Sequence, residues 1–233
     1  MTEADEQKRA VGFAAVDRYV RSGTCIGLGT GSTARWAVAR VGERVAAGER
    51  IVAVPTSAAT ERQCRELGIP LLRLGERAID VAIDGADEVA PDWSLTKGGG
   101  GAHFREKAVA LAARTFVVVV TPEKVVERLG AFPTPVEVVP FTLDVVRRAI
   151  ETAHPGASVV HRASGAAPFV TDNGNAILDC AFGAIADPAA LDASLRAVLG
   201  VVATGLFPAS LTGAVLVGYP DGVRPLERRA AAP

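Results

Sequence analysis

The stretch 84–107, DGADEVAPDWSLTKGGGGAHFREK, gathers the residue types that handle protons and oxyanions: Asp84, Asp87, Lys97 and Glu106, with glycines at 98–101 between the lysine and the glutamate. A carboxylate can take a proton from carbon or oxygen, and a lysine can stabilise the negative charge that results. Glycines open backbone conformations closed to other residues and let a ligand lie against the main chain. Successive N–H groups there could form an anion-binding nest. A plain linker is the competing reading, although linkers usually mix in serine and this run leads directly into an apolar helix. Asp84 and Asp87 flank Gly85 and Ala86, a pair that permits a tight bend. They could equally form an Asx-turn that ends a strand or hold a hard cation such as magnesium. Glu106 falls in the first turn of the following helix, where the helix dipole favours negative charge. It could be an ordinary surface acid, and its sequence neighbours Arg105 and Lys107 project elsewhere.

A second stretch, GTGST at Gly29–Thr33, sits between an apolar run and a helical pattern. Backbone N–H groups at a helix N-terminus attract anions, and Ser32 and Thr33 add hydroxyls. The alternative is a tight turn with a Ser/Thr N-cap. The stretch is neither a P-loop nor a complete dinucleotide fingerprint, because Ala34 stands where the third glycine belongs. His103, His154 and His161 lack metal-ligand spacing, and there is no GxSxG nucleophile elbow. Cys25, Cys64 and Cys180 form no CxxC pair, so core filling is their expected role.

These side chains need a scaffold, and the chain reads as alternating strands and helices. Phe13, Val16 and Val20 place a helix over 5–21. A strand enters GTGST, a helix follows to Gly48, and the strand IVAVPTS and a helix closed by Gly68 come next. AIDVAIDGAD is an apolar run ending in acids. HFREKAVALAAR reads as a buried helix, and TFVVVV as a strand covered on both faces. This order predicts βαβ units and a Rossmann-like, mostly parallel sheet with helices on both faces. Three prolines in AFPTPVEVVPF mark a junction. Beyond it a helix at 142–153, the strand ASVVHR, a hairpin-like pair around Asn173-Gly174, a helix at 188–198 and the strand GVVATGLF predict a smaller α+β, ferredoxin-like domain. The apolar strand GAVLVGY is expected to return to the first sheet. The expected partition is a catalytic domain from 1–131 and 207–233, and an oligomerisation domain at 132–206. An alanine-rich tail at 230–233 is the only biased segment.

Composition narrows the partners. The 25 basic and 26 acidic residues leave no cationic excess for nucleic acid. The start of the chain is polar and acidic rather than signal-like, and the longest apolar run is too short to span a bilayer. Together with free thiols, this predicts a cytoplasmic protein with no membrane partner.

GTGST, DGADE, KGGGGAHFREK, FPTPVEVVP, VTDNGNAILD and GVVATGLFP occur in an order that resembles the type A ribose-5-phosphate isomerase family nearly end to end. The long composite at 84–107 is the specific part. The resemblance implies interconversion of D-ribose 5-phosphate and D-ribulose 5-phosphate through an enediolate, in the non-oxidative pentose phosphate pathway, without metal or organic cofactor. It places the base on Glu106 and further catalytic groups on Asp84, Asp87 and Lys97. It implies sugar-phosphate contacts from Thr30, Gly31, Ser32, Thr33, Gly85, Ala86, Gly98, Gly99, Gly100 and Lys124, with Lys8 near the phosphate. It also implies a homodimer or a dimer of dimers. The family often has serine before the lysine matched by Lys124, where this chain has Glu123, and His103 receives no role. A sugar-phosphate-sensing regulator would carry a DNA-binding head, yet the first motif starts near residue 29 with no basic helix before it. A CoA transferase would use a glutamate as nucleophile, and the sugar-phosphate composite argues against it.

Overall fold

The computed structural model describes residues 2–230. In chain order they form α1 (Glu3–Tyr19), β1 (Cys25–Leu28), α2 (Ala34–Ala46), β2 (Val52–Pro55), α3 (Ala58–Glu66), β3 (Val81–Asp84), β4 (Glu88–Val89), β5 (Leu95–Thr96), α4 (His103–Ala112) and β6 (Phe116–Val120). There follow β7 (Thr134–Val138), α5 (Leu143–Ala153), β8 (Ser158–His161), β9 (Ala163–Ser164), β10 (Ala167–Pro168), β11 (Ala176–Ala181) and α6 (Pro188–Arg196). The last strands are β12 (Val201–Thr204), β13 (Leu206–Phe207), β14 (Ala214–Tyr219) and β15 (Gly222–Pro225). Contacts divide the chain into two compact units.

The first unit comprises the residues up to Ala86, Arg105–Val125 and Ser210–Arg228. Its sheet has the order β2-β1-β3-β6-β14-β15, parallel except for the antiparallel edge pair β14–β15. The last apolar strand therefore returns to this sheet, as expected. β6 is buried along its whole length, which suits its Phe-Val-Val-Val-Val sequence. Ile26 and Leu28 of β1 face one way, into a core with Val11, Val16, Ala37, Val38 and Cys64 from α1, α2 and α3. Gly27 faces the other way, where a Cβ would come within 2.4 Å of Val109 Cγ1 on α4. Helices thus cover both faces. Thr2 starts α1 by accepting the Asp5 N–H at 3.2 Å while the Asp5 carboxylate returns to the Thr2 N–H, a reciprocal cap. Ser57 caps α3 through the Thr60 N–H at 3.0 Å.

The second unit comprises Asp87–Phe104, Val126–Ala209 and the described residues from Arg229. Its main sheet is antiparallel with the order β12-β7-β11-β8. The sequence β7–α5–β8–β11–α6–β12 makes this the ferredoxin-like arrangement. Val136, Val138, Leu178 and Cys180 on the strands pack with Val146, Ile150 and Leu195 on the helices. A second, three-stranded sheet has the order β13-β5-β4. Within it, buried Glu88 of β4 accepts from the Thr96 hydroxyl at 2.8 Å and from the N–H groups of Gly130 and Phe132 at 3.0 and 2.8 Å, so its charge is well satisfied.

Three expectations change. The contacts group Asp87–Phe104 with 126–209, which departs from boundaries at 131/132 and 206/207. GVVATGLF is not one strand: it breaks at Gly205 into β12 and β13, which serve different sheets. The Asn173-Gly174 turn is tight, with the Thr171 N–H donating to Asn175 O at 2.9 Å, but it does not join a two-stranded hairpin. β11 pairs with β7 and β8 instead. The turn has another use: Thr171, Asn173 and Asn175 donate to Oε1 of fully buried Glu137 at 3.0, 3.0 and 2.8 Å. The tail at 231–233 lies outside the described residues.

All three cysteines are buried and unpaired. Burial pushes the Cys64 and Cys180 thiols up to about 12 and raises that of Cys25. Fewer thiolates exist at any given pH, and the thiolate is the nucleophile. The expected result is that DTNB at pH 8 leaves the native thiols unlabelled and titrates all three in concentrated guanidinium. Fast labelling of Cys64 or Cys180 in native protein would contradict their burial.

Candidate active site

In the first unit, ligand chemistry is expected where β1 and β3 lie side by side. β1 leads outward to β2, and β3 begins the progression toward β6 and β14, so the strand order reverses there. Open α/β sheets bind ligands beyond the carboxyl ends of strands at such a point. Both strands end in the predicted motifs. Asp84 closes β3 and is 3% exposed. Its Oδ1 accepts the N–H of Thr30 at 3.1 Å and its own following N–H, Gly85, at 2.7 Å. A Cβ on residue 29 would fall 2.0 Å from that oxygen, so glycine is required for the β1 turn to reach Asp84. Asp84 is therefore tied to the GTGST turn.

That turn is held from behind. The Thr30 hydroxyl lies 2.8, 2.8 and 3.1 Å from those of Thr56, Ser57 and Thr60. Thr60 donates to Gly29 O at 2.8 Å. This hydroxyl cluster, from the end of β2 and the start of α3, had no signal in the sequence beyond an ordinary N-cap. Thr33 occupies the N-cap position of α2 but makes no side-chain capping bond, so the simple N-cap reading is not realised. Gly31 and Ser32 are exposed and Thr33 is half-buried. The Thr2 hydrogen bonds lower the Asp5 carboxyl most, with smaller electrostatic contributions from Arg35 and then Lys8, which is half-buried on α1. Asp5 also pairs at 3.6 Å with Arg35 in the first turn of α2.

Glu106 is 4% exposed, in the first turn of α4. Lys124 ends a 3-10 turn, Pro122–Lys124, directly after β6, and is half-buried. Its neighbour Glu123 is exposed and takes the Thr121 hydroxyl at 2.5 Å. The departure at Glu123 is thus accommodated by a local bond on the turn itself.

In the second unit, Asp87 precedes β4 and Lys97 follows β5. The Asp87 N–H donates to Thr96 O at 2.8 Å, and Asp87 Oδ2 accepts the Gly99 N–H at 2.8 Å. Lys97 is 2% exposed. Its N–H donates to Gly205 O at 2.8 Å, and its Nζ lies 5.5 Å from the centre of the Phe207 ring. Gly98 and Gly101 have φ of 103° and 79°, a region that disfavours residues with a side chain. A Cβ on Gly98 would also stand 2.7 Å from His103 Nδ1, which gives buried His103 a packing role beneath the turn. The run is a pinned turn and not a linker. The Gly101 N–H donates to Gly98 O at 2.9 Å, so that N–H and the one at Gly99 are spent inside the protein. A nest built from every N–H of the run is therefore excluded. Gly99 and Gly100 are exposed, while Gly85 and Ala86 form the half-buried link between the two acids. Sequence reading missed Arg162, which donates to the carbonyls of Gly98 and Gly99 at 2.8 and 3.2 Å.

Among the described residues no three His, Cys, Asp or Glu side chains are grouped as a metal ion would need. No described helix is long and apolar enough to cross a membrane.

The profile of the family described as ribose 5-phosphate isomerase A (phosphoriboisomerase A) matches residues 52–222. A ribose-5-phosphate isomerase A from Bradyrhizobium diazoefficiens is 46% identical, with 97% of each chain covered. One from Methanothermobacter thermautotrophicus is 45% identical over 93% of this chain and 96% of its own. Among solved structures, ribose 5-phosphate isomerase A from Methanocaldococcus jannaschii superposes with a TM-score of 0.90 at 39% identity, covering 96% of this chain and 99% of that one. A D-ribose-5-phosphate isomerase in complex with phospho-erythronic acid superposes with a TM-score of 0.92 at 37% identity, over 98% of this chain and 100% of that one.

Proposed function

The chain belongs to the ribose 5-phosphate isomerase A family, and from that membership we propose how its residues interconvert D-ribose 5-phosphate and D-ribulose 5-phosphate. The observation that carries this reading is the likeness to isomerases of this name along 97% of the chain. The reaction moves one proton between C1 and C2 and another between O1 and O2, through an enediolate. Glu106 is the carbon base. Its burial keeps bulk water from competing for the proton it takes. Lys97 stabilises the charge that develops on the enediolate, with a preorganised Gly98–Gly100 backbone beside it in sequence. Asp84, held by two N–H groups, handles the hydroxyl proton or fixes O1. Asp87, already bonded to Gly99, orients a sugar hydroxyl or Lys97.

Thr30–Thr33, Lys124 and Lys8 form the phosphate anchor. The start of α2 supplies its N–H groups and dipole, and the two lysines supply positive charge. Binding energy from the unreacting phosphate can be used to position the sugar. The relative solved with phospho-erythronic acid supports this reading, because a phosphorylated sugar acid combines the phosphate with a planar carboxylate that resembles an enediolate.

The protein acts in the cytoplasm, in the non-oxidative pentose phosphate pathway, as a homodimer or dimer of dimers. Exposed Phe141, Val145 and Leu199 support self-association through the second unit, where the Val139 N–H ties their loops together by bonding Gly200 O. The test is purified protein with ribose 5-phosphate, read as ribulose 5-phosphate formed. Product should appear at the same rate with and without EDTA. No product would overturn the activity, and loss in EDTA restored by magnesium would overturn the metal-free mechanism.

A further inference from the structure

We propose that Arg162, locked by Asp179, is a positioning residue that sets the peptide planes of the glycine run. This rests on the reading that Lys97 and the run act on the sugar.

Arg162 follows β8, and Asp179 lies on the paired strand β11. Arg162 Nε and Nη2 donate to the two Asp179 oxygens at 2.9 and 2.5 Å. A guanidinium is a rigid planar fork, so fixing one edge fixes the direction of the remaining nitrogen. That nitrogen, Nη1, donates to both Gly98 O and Gly99 O. The Arg162 side chain is 12% exposed and lies 5.7 Å over the Phe169 ring. Phe169 in turn occupies the space a side chain at Gly101 would need, at 2.4 Å from its Cβ position.

The effect follows from peptide planarity. The carbonyl of Gly98 and the N–H of Gly99 belong to one rigid unit and point in opposite directions. Arg162 holds the carbonyl end and Asp87 holds the N–H end. The Gly98–Gly99 peptide is clamped between a cation and an anion. Holding Gly99 O likewise turns the Gly100 N–H away from Arg162, and the adjacent cation polarises that peptide. Without the clamp, glycines would let these planes rotate, because no side chain restricts them. The clamp replaces the restriction that side chains would otherwise impose.

The experiment compares wild type, Arg162→Ala, Arg162→Lys and Asp179→Asn for kcat, KM and amide hydrogen exchange of the glycine run. Arg162→Ala should lower kcat by about 10-fold to 10²-fold, the range a displacement of about 1 Å produces, with KM changed by less than about 3-fold. Exchange at Gly99 and Gly100 should quicken while β7 and β11 keep their protection. Asp179→Asn should show a smaller loss of the same kind. Arg162→Lys should recover little, since an ammonium cannot hold Asp179 and two carbonyls together. Wild-type kcat and unchanged Gly99 exchange in Arg162→Ala would overturn the inference. So would full recovery in Arg162→Lys, which would show that charge alone matters. If wild type itself lacked isomerase activity, the functional reading would fail, while exchange would still decide whether Arg162 holds the loop.

Discussion

Glu106→Gln should lower kcat by about 10²-fold to 10⁴-fold, the range that loss of a general base produces, while leaving the fold and sugar-phosphate binding in place. Gln has the shape of Glu and keeps an oxygen acceptor, so packing around the first turn of α4 changes little. It cannot take a proton from carbon at neutral pH, and that is the function lost. Two effects on stability oppose each other. The helix start loses a favourable charge, worth roughly 0.3–1 kcal/mol. A group only 4% exposed no longer needs its charge desolvated, which recovers a similar amount or more. The melting temperature should therefore move by no more than about 4 °C, the shift that about 1 kcal/mol produces in a protein of this size. The measurement is kcat and KM by conversion of ribose 5-phosphate, with calorimetry on the same samples. A kcat within 10-fold of wild type would remove Glu106 from the role of base. A collapsed melting transition would show that it is structural instead.

Much of the first unit was legible because its signals are local. Valine-rich β6, the glycine-terminated helices and Asp84 at a strand end each show within about ten residues. The strand-end rule then places Asp84 and the GTGST turn at the same edge of the sheet, while their contact depends on β1 pairing with β3. Glu106 was legible for the same reason: it lies in the first turn of a helix whose start the glycines mark. What escaped was determined at long range. Arg162 is 63 and 64 residues from the carbonyls it holds, as counted from Gly99 and Gly98. Nothing in ASVVHR distinguishes it from any charged residue at a strand end. Glu88 and Glu137 look like surface acids, yet each is buried and bonded by groups far along the chain, such as Phe132 for Glu88 and Asn175 for Glu137 Oε1. Asn173-Gly174 announced a turn correctly but not which strands would pair, because pairing with β7 and β8 depends on the whole antiparallel sheet. The division into units was hidden because Asp87–Phe104 carries motif residues continuous in sequence with Asp84 and Glu106.

Lys97→Met should also be severe, lowering kcat by about 10²-fold to 10³-fold, as loss of one oxyanion-stabilising donor does. Met follows the path of the lysine stem and can keep contact with Phe207, so the substitution removes the charge more than the packing. The backbone bond from residue 97 to Gly205 does not depend on the side chain and should persist. If Lys97 acts on the enediolate, the loss must fall on kcat more than on KM, because the charge it stabilises exists only part-way through the reaction. If it only attracts the phosphate, KM must rise while kcat holds. Lys97→Arg separates charge from shape. At 2% exposure the site is built around a compact ammonium, and the broader planar guanidinium should rescue less than a tenth of the wild-type kcat. A Lys97→Met variant with kcat within 10-fold of wild type would assign enediolate stabilisation elsewhere, and the backbone held by Arg162 and Asp87 would be the next place to look.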